Sequence, residues 1–381
     1  MVSGRLQEKN GYFYMILDYK DITGKRKNKW ISTGLLVKGN KKRAEALLLE
    51  ARQNFQIEPV AEPDELLFSD YMEKWLDVVK PNIELSTYAG YSMMVKTKIA
   101  PYFKEKEIKL AELHAKDIQE FYADELKRIS ARTVIHYHCV IHKALKQAAK
   151  AGLIPTNPAQ NVERPKVNNY VGSFYDGNEL KTLFEAVKGD SIELHVLFGA
   201  YYGLRRSEVV GLKWNAIDFD KGTLTIKHTV TNVFHDGQKI TIEKDRAKNK
   251  SSLRTLPLMP MFKDRLMEHK QELEKYRKLC GNSYNTEHAD YIMVNEMGKR
   301  LSPDYITRRF SLVLAQNGLK KIRYHDLRHS CASLLLANGV SMKEIQEWLG
   351  HSDFSTTANI YSHLDYSSKI SSAQTIAAAL N

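Results

Sequence analysis

The stretch that decides the fold is Leu349 to Tyr361, LGHSDFSTTANIY, in a chain of 381 residues. Gly350-His351 follows the end of a helical pattern, and Thr356-Thr357 opens a further helical stretch toward Tyr361. A loop histidine near a tyrosine suits catalysis, because imidazole transfers protons and a phenol can become covalently attached. The alternative is a buried helix–turn–helix in which Tyr361 is a core aromatic residue.

A second motif, HDLRH, occupies residues 325–329. His325 and Arg328 are three residues apart and share one helix face, so together they suit phosphate binding and proton transfer. Two alternatives remain open from these residues. His325 and His329, four residues apart, have a spacing that metal ligands use, although no third ligand is evident. The motif is also compatible with an ordinary helix start that Asp326 caps.

The third motif is GLRRSE at residues 203–208. Arg205 follows a glycine near a helix start, where a guanidinium group is well placed to bind phosphate. Glu208 lies one turn further on and can hold the arginine in place. The alternative is an exposed Arg–Glu helix pair with little energetic weight.

The composition favours a polyanionic partner. The formal net charge is +12, and 57 Lys and Arg stand against 45 Asp and Glu. Residues 1–55 alone hold 12 Lys and Arg against 5 Asp and Glu, so a small basic domain leads the chain. Nucleic acid is the usual partner of such a charge excess. The alternative is a basic protein whose charge serves solubility alone.

Several classes of protein are disfavoured by the sequence. No run of about 18 apolar residues is present, and the N-terminus lacks a signal-peptide pattern. Three widely separated cysteines predict free thiols in a reducing cytoplasm rather than a disulfide framework or a zinc site. We find no P-loop and no paired carboxylates for two metals, so no cofactor and no metal are expected.

Three domains are predicted. Residues 1–57 contain aromatic, strand-like segments at 12–19 and 27–33 followed by a helix at 41–55, which predicts a three-stranded sheet with one helix. Lysines interleaved with aromatics suggest a DNA-groove reader, and a solvated basic face is the alternative. Residues 65–165 predict an all-α domain with four helices, at 67–79, 86–98, 115–129 and 131–151.

The third domain, residues 171–381, is predicted to be mixed and mainly α with a small antiparallel sheet. Strands are expected at 223–233 and 239–243, joined by a hairpin around Asp236-Gly237, with a third strand at 253–258. Helices are expected on both sides of these strands. The expected ranges are 179–187, 191–202, 205–212, 261–279, 303–317, 326–338, 341–349, 353–361 and 367–380.

Over nearly its whole length the chain resembles the tyrosine recombinases, in particular the lambda-type integrases of phages and conjugative transposons. GLRRSE looks like the first arginine box of the family, HDLRH like its His-x-x-Arg box, and the stretch that ends at Tyr361 like its closing box. The resemblance implies the tyrosine recombinase fold, with an arm-type DNA-binding domain, a core-binding domain and a catalytic domain.

The resemblance also implies the roles of individual residues. Tyr361 would be the nucleophile that forms a 3′-phosphotyrosyl bond, and Arg205 and Arg328 would bind the non-bridging oxygens of the phosphate. His325 and His351 would assist by hydrogen bonding and proton transfer, and Glu208 would support the arginines. A lysine of the strand region would protonate the 5′-oxygen leaving group. Lys248 is the choice for this role and Lys250 the runner-up.

The partners implied by the resemblance are double-stranded DNA at core and arm attachment sites, a homotetramer on that DNA, and possible accessory excision or DNA-bending proteins. An apolar stripe at 370–380 would pack on a neighbouring protomer in the assembly or on its own domain in the monomer. Basic residues of the helical domain that are available for phosphate contacts are Lys96, Lys98, Arg132, His136, Lys143 and Lys146.

The predicted function is a site-specific DNA recombinase that integrates and excises a mobile element. The nearest rival is a type IB topoisomerase, which shares the chemistry but relaxes supercoils as a monomer without a defined site. The separate basic domain at 1–57 favours the recombinase. A more distant rival is a non-catalytic DNA-binding regulator, which has no use for the combined set Arg205, Lys248, His325, Arg328, His351 and Tyr361.

Overall fold

A computed structural model describes residues 3–20, 26–53, 65–167, 173–245 and 253–350, together with position 377. The chain divides into two compact units, residues 1–167 and 168–381. The helices expected at 353–361 and 367–380 lie outside the described residues. No helix within the described ranges has both the length and the apolarity that a membrane crossing requires.

The N-terminal part of the first unit is the predicted sheet with one helix. Strands β1 (Ser3–Lys9), β2 (Tyr12–Lys20) and β3 (Arg26–Leu36) form an antiparallel sheet in that order, and helix α1 (Lys41–Gln53) follows. The helix packs on the sheet. The apolar residues of β2 form the small core here, because Ile16 and Leu17 are almost fully buried.

The rest of the first unit is helical, with α2 (Phe68–Val79), α3 (Leu85–Met94), α4 (Ala100–Glu105), α5 (Ala115–Leu126) and α6 (Ala131–Lys150). Their shared core is rich in aromatic residues such as Trp75, Phe103 and Phe121. The four predicted segments are present, but the second is longer than expected. A π-helical turn, Val95–Ile99, joins α3 to α4, so one helical run continues through Pro101. A π turn changes the hydrogen-bonding pattern, which lets a helix accommodate a proline that lacks an N–H.

The second unit contains a small sheet and a separate two-stranded ribbon. Strands β4 (Ile217–Asp218), β5 (Thr223–Ile226) and β8 (Arg254–Pro257) form the sheet in the order β4-β5-β8. Strands β6 (His228–His235) and β7 (Gln238–Asp245) form the ribbon. The predicted hairpin at Asp236-Gly237 is therefore confirmed.

The single strand predicted at 223–233 is wrong, because the chain leaves the sheet at Lys227 and continues as β6 in the ribbon. The third strand pairs with β5 and not with the hairpin. The reason is tertiary. Helix α9 (Arg206–Val210) packs against β6, and Gly211 lets the two backbones approach closely. A Cβ atom at Gly211 would lie 2.7 Å from the carbonyl oxygen of His228.

The remaining helices of the second unit follow the predicted pattern. They surround three apolar cores, one against α11 and α12, one beneath the β4-β5-β8 sheet and a small one between α12 and α13. The three cysteines, Cys139, Cys280 and Cys331, are free thiols, as predicted. The helices are α7 (Gly177–Val187), α8 (Glu193–Tyr201), α10 (Pro260–Cys280), α11 (Pro303–Gln316), α12 (Asp326–Ala337) and α13 (Met342–Leu349).

Gly211→Ala should destabilise the second unit by about 1–3 kcal/mol, because the added methyl group overpacks a backbone contact. Gly90→Ala is the matched control. Gly90 lies inside α3 with open space at its Cβ position, so alanine there should raise stability by up to about 1 kcal/mol. Calorimetric unfolding of the full chain measures both effects. An unchanged unfolding profile for Gly211→Ala would contradict the close approach of α9 and β6.

Candidate active site

The first arginine motif folds into a tight structure at the start of α9. Arg205 directly precedes this helix, and its backbone N–H donates to Glu208 Oε2 at 2.9 Å. Its guanidinium Nη1 donates to Glu208 Oε1, also at 2.9 Å. The carboxylate of Glu208 is fully buried. The carboxylate is therefore part of the interior while Arg205 is partly exposed, and the alternative of an exposed Arg–Glu helix pair is wrong.

A second arginine, Arg254 in β8, also binds this carboxylate. Its Nη2 donates to Glu208 Oε2 at 3.0 Å and its Nη1 to Oε1 at 3.4 Å, in a bidentate arrangement. Its Nε donates to the carbonyl oxygen of Trp348 at 3.0 Å. The indole of Trp348 stacks on Tyr202 with a 3° angle between the rings. Arg254 thus ties the sheet to α9 and α13 around one buried charge.

Sequence reasoning missed Arg254, because it appeared as one of three basic residues between 247 and 257. The alternation of side chains along the strand could have indicated that Arg254 is buried. Arg254 and Leu256 are two residues apart and therefore face the same side of β8, where both are buried. An arginine on the apolar face of a short strand requires a buried carboxylate partner.

The charges around Glu208 keep it ionised. Burial raises the pKa of this carboxyl group, but the positive charges and hydrogen bonds of Arg254 and Arg205 outweigh burial and lower the pKa to about 2. A buried carboxylate with two guanidinium partners therefore acts as a permanent negative charge at neutral pH.

Arg328 joins three separate segments of the second unit. Its side chain is buried in α12, with Nη1 donating to the carbonyl oxygen of Gly203 at 2.6 Å and Nη2 to that of Leu349 at 2.7 Å. Gly203 has a φ of +61°, and a Cβ atom at this position would collide with Leu349. The arginine motif, the HDLRH motif and the end of α13 therefore meet at one guanidinium group.

Burial lowers the pKa of Arg328 to about 9, and the nearby charge of Arg205 contributes to this shift. The two arginines predicted to bind phosphate are therefore close enough to repel each other. An anion placed between them would relieve this repulsion and would favour their charged forms.

The two histidines of the HDLRH motif lie at the start of α12. Their ring centroids are 5.3 Å apart and the rings are nearly perpendicular. His325 is exposed, and desolvation together with the charges of His329, Arg328 and Arg205 lowers its pKa. Desolvation also lowers the pKa of His329. Within the described ranges, no group of three or more His, Cys, Asp or Glu side chains is placed to hold a metal ion.

Asp326 is the first residue of α12 and does not cap the helix, because the N-cap position is His325 and the Asp326 side chain instead closes the turn before the helix. Its carboxylate is fully buried and accepts hydrogen bonds from the backbone N–H of Arg323 at 2.8 Å and from Arg323 Nη2, also at 2.8 Å. These bonds fix the start of α12, which carries Arg328 and His325. The structural and functional interpretations of this motif are thus compatible.

The described part of the site has an excess of positive charge. Arg205, Arg254 and Arg328 surround the single carboxylate of Glu208. Three positive charges against one negative charge leave a surplus of about two. The predicted residues Lys248, His351 and Tyr361, with the alternative Lys250, lie outside the described residues.

Glu208→Gln should destabilise the second unit by about 3–5 kcal/mol at pH 7, because it leaves buried arginines without a counter-charge. The folded-state pKa of Glu208 is lowered, so its stabilising contribution is present above about pH 4.5 and is lost as the pH falls toward 2. We expect a loss of about 3 kcal/mol over that window in the wild type.

Urea unfolding of the wild type and of Glu208→Gln between pH 2 and pH 7 checks this prediction. The variant should lack this part of the acid dependence. Glu347→Gln, a change at an exposed glutamate of the same unit, is the control and should leave the profile unchanged. Equal acid dependence in the wild type and in Glu208→Gln would contradict the assignment of a buried, ionised Glu208.

Comparison with known proteins identifies the family. Residues 173–368 match the model of the family described as "Phage integrase family", and residues 67–126 match "Phage integrase, N-terminal SAM-like domain". The first match alone covers about half of the chain. It contains the arginine motif, the HDLRH motif and Tyr361.

Curated relatives agree with this match. The chain is 27% identical to a tyrosine recombinase XerC-like protein of Caldanaerobacter subterraneus, over 82% of this chain and 83% of the relative. It is 26% identical to the ICEBs1 integrase of Bacillus subtilis, over 84% of this chain and 86% of the relative.

Solved structures show the same fold. The transposon Tn1549 integrase in complex with a circular intermediate DNA superposes with a TM-score of 0.67 at 15% identity, covering 82% of this chain and 99% of that one. A lambda integrase tetramer bound to a Holliday junction gives a TM-score of 0.54 at 18% identity, covering 91% of this chain and 95% of that one. The resemblance inferred from the motifs is confirmed, and the chain belongs to the phage integrase family of tyrosine recombinases.

Proposed function

We propose that this protein is a site-specific DNA recombinase that cuts and rejoins DNA through a 3′-phosphotyrosyl intermediate at Tyr361, and so integrates and excises a mobile genetic element. The observation that carries the proposal is the cluster of three arginines around the single carboxylate of Glu208. Its surplus of about two positive charges suits an anion with up to two negative charges. The membership of the phage integrase family supports the same conclusion.

A phosphodiester fits this charge. It carries one negative charge in the ground state and gains a second as a nucleophile adds to phosphorus. Fixed guanidinium groups stabilise that transition state more than the ground state, which is the requirement for catalysis. Arg205 and Arg328 bind the non-bridging oxygens in this proposal. Arg254 remains a positioning residue, because all three of its guanidinium nitrogens donate to Glu208 or to the carbonyl oxygen of Trp348.

The covalent step is a balanced exchange of bonds at phosphorus. The phenolic oxygen of Tyr361 forms a new P–O bond, its proton passes to a base, and the P–O5′ bond breaks. His325 and His351 are the candidates for hydrogen bonding and proton transfer. The ammonium group of Lys248, or of Lys250, donates a proton to the departing O5′. The new phosphotyrosyl ester retains the energy of the broken bond, so rejoining needs no nucleotide cofactor.

In this proposal each of the three domains has a separate role on DNA. Residues 1–57 bind arm sites, residues 65–165 bind the core site and residues 171–381 carry the chemistry. In support, the phosphate-contact candidates of the helical domain are all exposed. They are Lys96, Lys98, Arg132, His136, Lys143 and Lys146.

The assembly on DNA is a homotetramer in this proposal. Four protomers exchange strands between two DNA segments, in the cytoplasm and with possible accessory excision or DNA-bending proteins. The lambda integrase, a structural neighbour, forms a tetramer on a Holliday junction, which supports this arrangement. The apolar stripe at 370–380 packs on a neighbouring protomer in the assembly.

Tyr361→Phe should abolish covalent capture of DNA and leave DNA binding nearly intact, because only the nucleophilic oxygen is removed. The substrate is a nicked DNA from the end of the element, in which the released 5′-hydroxyl strand diffuses away and traps the covalent product. Wild type should give a slow band on a denaturing gel, also with a chelator present.

Tyr366→Phe is the matched control, because it removes a phenolic oxygen from a neighbouring position of the chain, and it should behave as the wild type. Covalent capture by Tyr361→Phe would show that the nucleophile is another residue. A wild-type protein that binds this DNA and the opposite end of the element but never forms the band would be a DNA-binding regulator.

Two DNA assays distinguish a recombinase from a type IB topoisomerase, which uses the same chemistry. We expect the wild-type chain to recombine two attachment sites, and to relax supercoiled plasmid only when the plasmid carries such a site. The physical reason is that a recombinase must bind both DNA segments before strand exchange. Efficient relaxation of a plasmid without the site, with no recombinant product, would favour the topoisomerase.

A further inference from the structure

A chain of hydrogen bonds outside the arginine cluster links the first residue of β6 to the last residue of β7. We call this end of the β6–β7 ribbon the ribbon root. His228 begins β6 and Asp245 ends β7, and the two are register partners. His228 Nδ1 lies 2.6 Å from Asp245 Oδ1, and His228 Nε2 lies 2.9 Å from the hydroxyl of Tyr291. The same hydroxyl donates to Glu243 Oε2 at 2.7 Å, and Arg300 Nη1 donates to Glu243 Oε1 at 2.6 Å.

The ring of Tyr291 is fixed between two cations. The guanidinium carbon of Arg300 lies 4.5 Å from the ring centroid, and Lys213 Nζ lies 4.6 Å from it. Lys213 in turn binds Asp290 at 2.9 Å. Tyr291 itself is buried. The network thus has a rigid inner end at Tyr291 and an outer end at the Asp245 carboxylate, which is 77% exposed.

Stability alone does not explain why the network extends to the exposed carboxylate of Asp245. An ion pair with one partner mostly in water contributes little to stability. The ribbon also has other attachments, because Lys239 binds Asp304 at 2.6 Å and Asn232 donates to Asp304 at 3.3 Å. An isolated two-stranded ribbon needs such attachments. The hydrogen bond between His228 and Asp245 fixes the position of one residue, the last of β7.

The end of β7 matters because the candidate proton donors lie a few residues beyond it in the chain. Asp245 is three residues before Lys248 and five before Lys250, the two candidate donors of the leaving-group proton. We propose that His228, Tyr291 and Asp245 are positioning residues for protonation of the 5′-oxygen, because they fix the point from which the lysine-bearing segment continues. This inference rests on the proposed function and extends it to residues that make no contact with DNA phosphate.

The test depends on the need of the leaving group for a proton. A 5′-alkoxide is a poor leaving group and requires an acid, whereas a 5′-thiolate leaves without one. We therefore compare single-turnover cleavage of two nicked substrates, one with a normal phosphodiester and one with a bridging 5′-sulfur at the cut site. In both, Tyr361 forms the P–O bond, and only the broken bond, P–O5′ or P–S5′, differs.

Asp245→Ala is the main variant, because its exposed side chain makes misfolding a small risk. We expect cleavage of the oxygen substrate to slow by about 3-fold to 5-fold, because a contact with one partner mostly in water changes the positioned population only modestly. Cleavage of the sulfur substrate should remain at the wild-type rate. Tyr291→Phe keeps the ring between Arg300 and Lys213 and removes only the hydroxyl, and it should show the same rescue by sulfur.

Asp304→Ala is the matched control, because it removes an exposed aspartate that holds the ribbon elsewhere. It should show no rescue by sulfur. Equal slowing of both substrates by Asp245→Ala, or no slowing of either, would overturn the proposal. So would the same selective rescue in Asp304→Ala, since any loosening of the ribbon would then suffice.

Lys248→Ala and Lys250→Ala separate this inference from the proposed function. The lysine whose loss is rescued by sulfur is the acid, and the proposal requires one of the two to behave in this way. If neither is rescued while Tyr361-dependent capture persists, the positioning role fails and the covalent chemistry stands. If the wild type forms no covalent product with either substrate, the proposed function itself fails.

Discussion

The second unit depends on one buried negative charge. The carboxylate of Glu208 accepts hydrogen bonds from Arg205 at the start of α9 and from Arg254 in the β-sheet. An unpaired ion of this kind would cost several kcal/mol in the interior, so the three groups are stable only as a set. The benefit of this set is that it fixes Arg205 in one orientation. A guanidinium that is fixed before DNA arrives does not have to lose conformational entropy when it binds phosphate.

Arg328 is held by groups of a different kind from the carboxylate that holds Arg205, and the charge of the site explains the difference. Arg328 is held by carbonyl oxygens of Gly203 and Leu349, which are dipoles and carry no net charge. A carboxylate in their place would have fixed the side chain equally well, but it would have reduced the surplus of positive charge from about two to about one. Because carbonyls hold Arg328, its positive charge adds to that of Arg205, and the cluster keeps the surplus that an anion requires.

Sequence alone predicted most of the helices and, within the arginine cluster, Arg205, Arg328 and Glu208, because these depend on local periodicity and on short motifs. The predictions that were wrong concern long-range packing. The break at Lys227 arises because Gly211 allows β6 to pack on α9. The continuation of a helix through Pro101 depends on the π turn before it. Arg254 was missed because its partner, Glu208, is 46 residues away in the sequence. The chain of bonds through Tyr291 was also invisible, since its members come from the ribbon and from a distant loop.

The two charge systems of this unit differ in a way that suits their tasks. In the arginine cluster Arg254 and Arg328 are buried, Arg205 is partly exposed, and several hydrogen bonds hold the guanidinium groups in a fixed geometry. The ribbon root is closed by a histidine and an exposed aspartate, which hold position with little energy. A proton donor needs to approach the leaving oxygen late in the reaction and must not compete with the arginines for the phosphate. In the proposed mechanism, an anchor separate from the cluster meets both needs, because it sets where the lysine-bearing segment begins without adding another fixed charge beside the arginines.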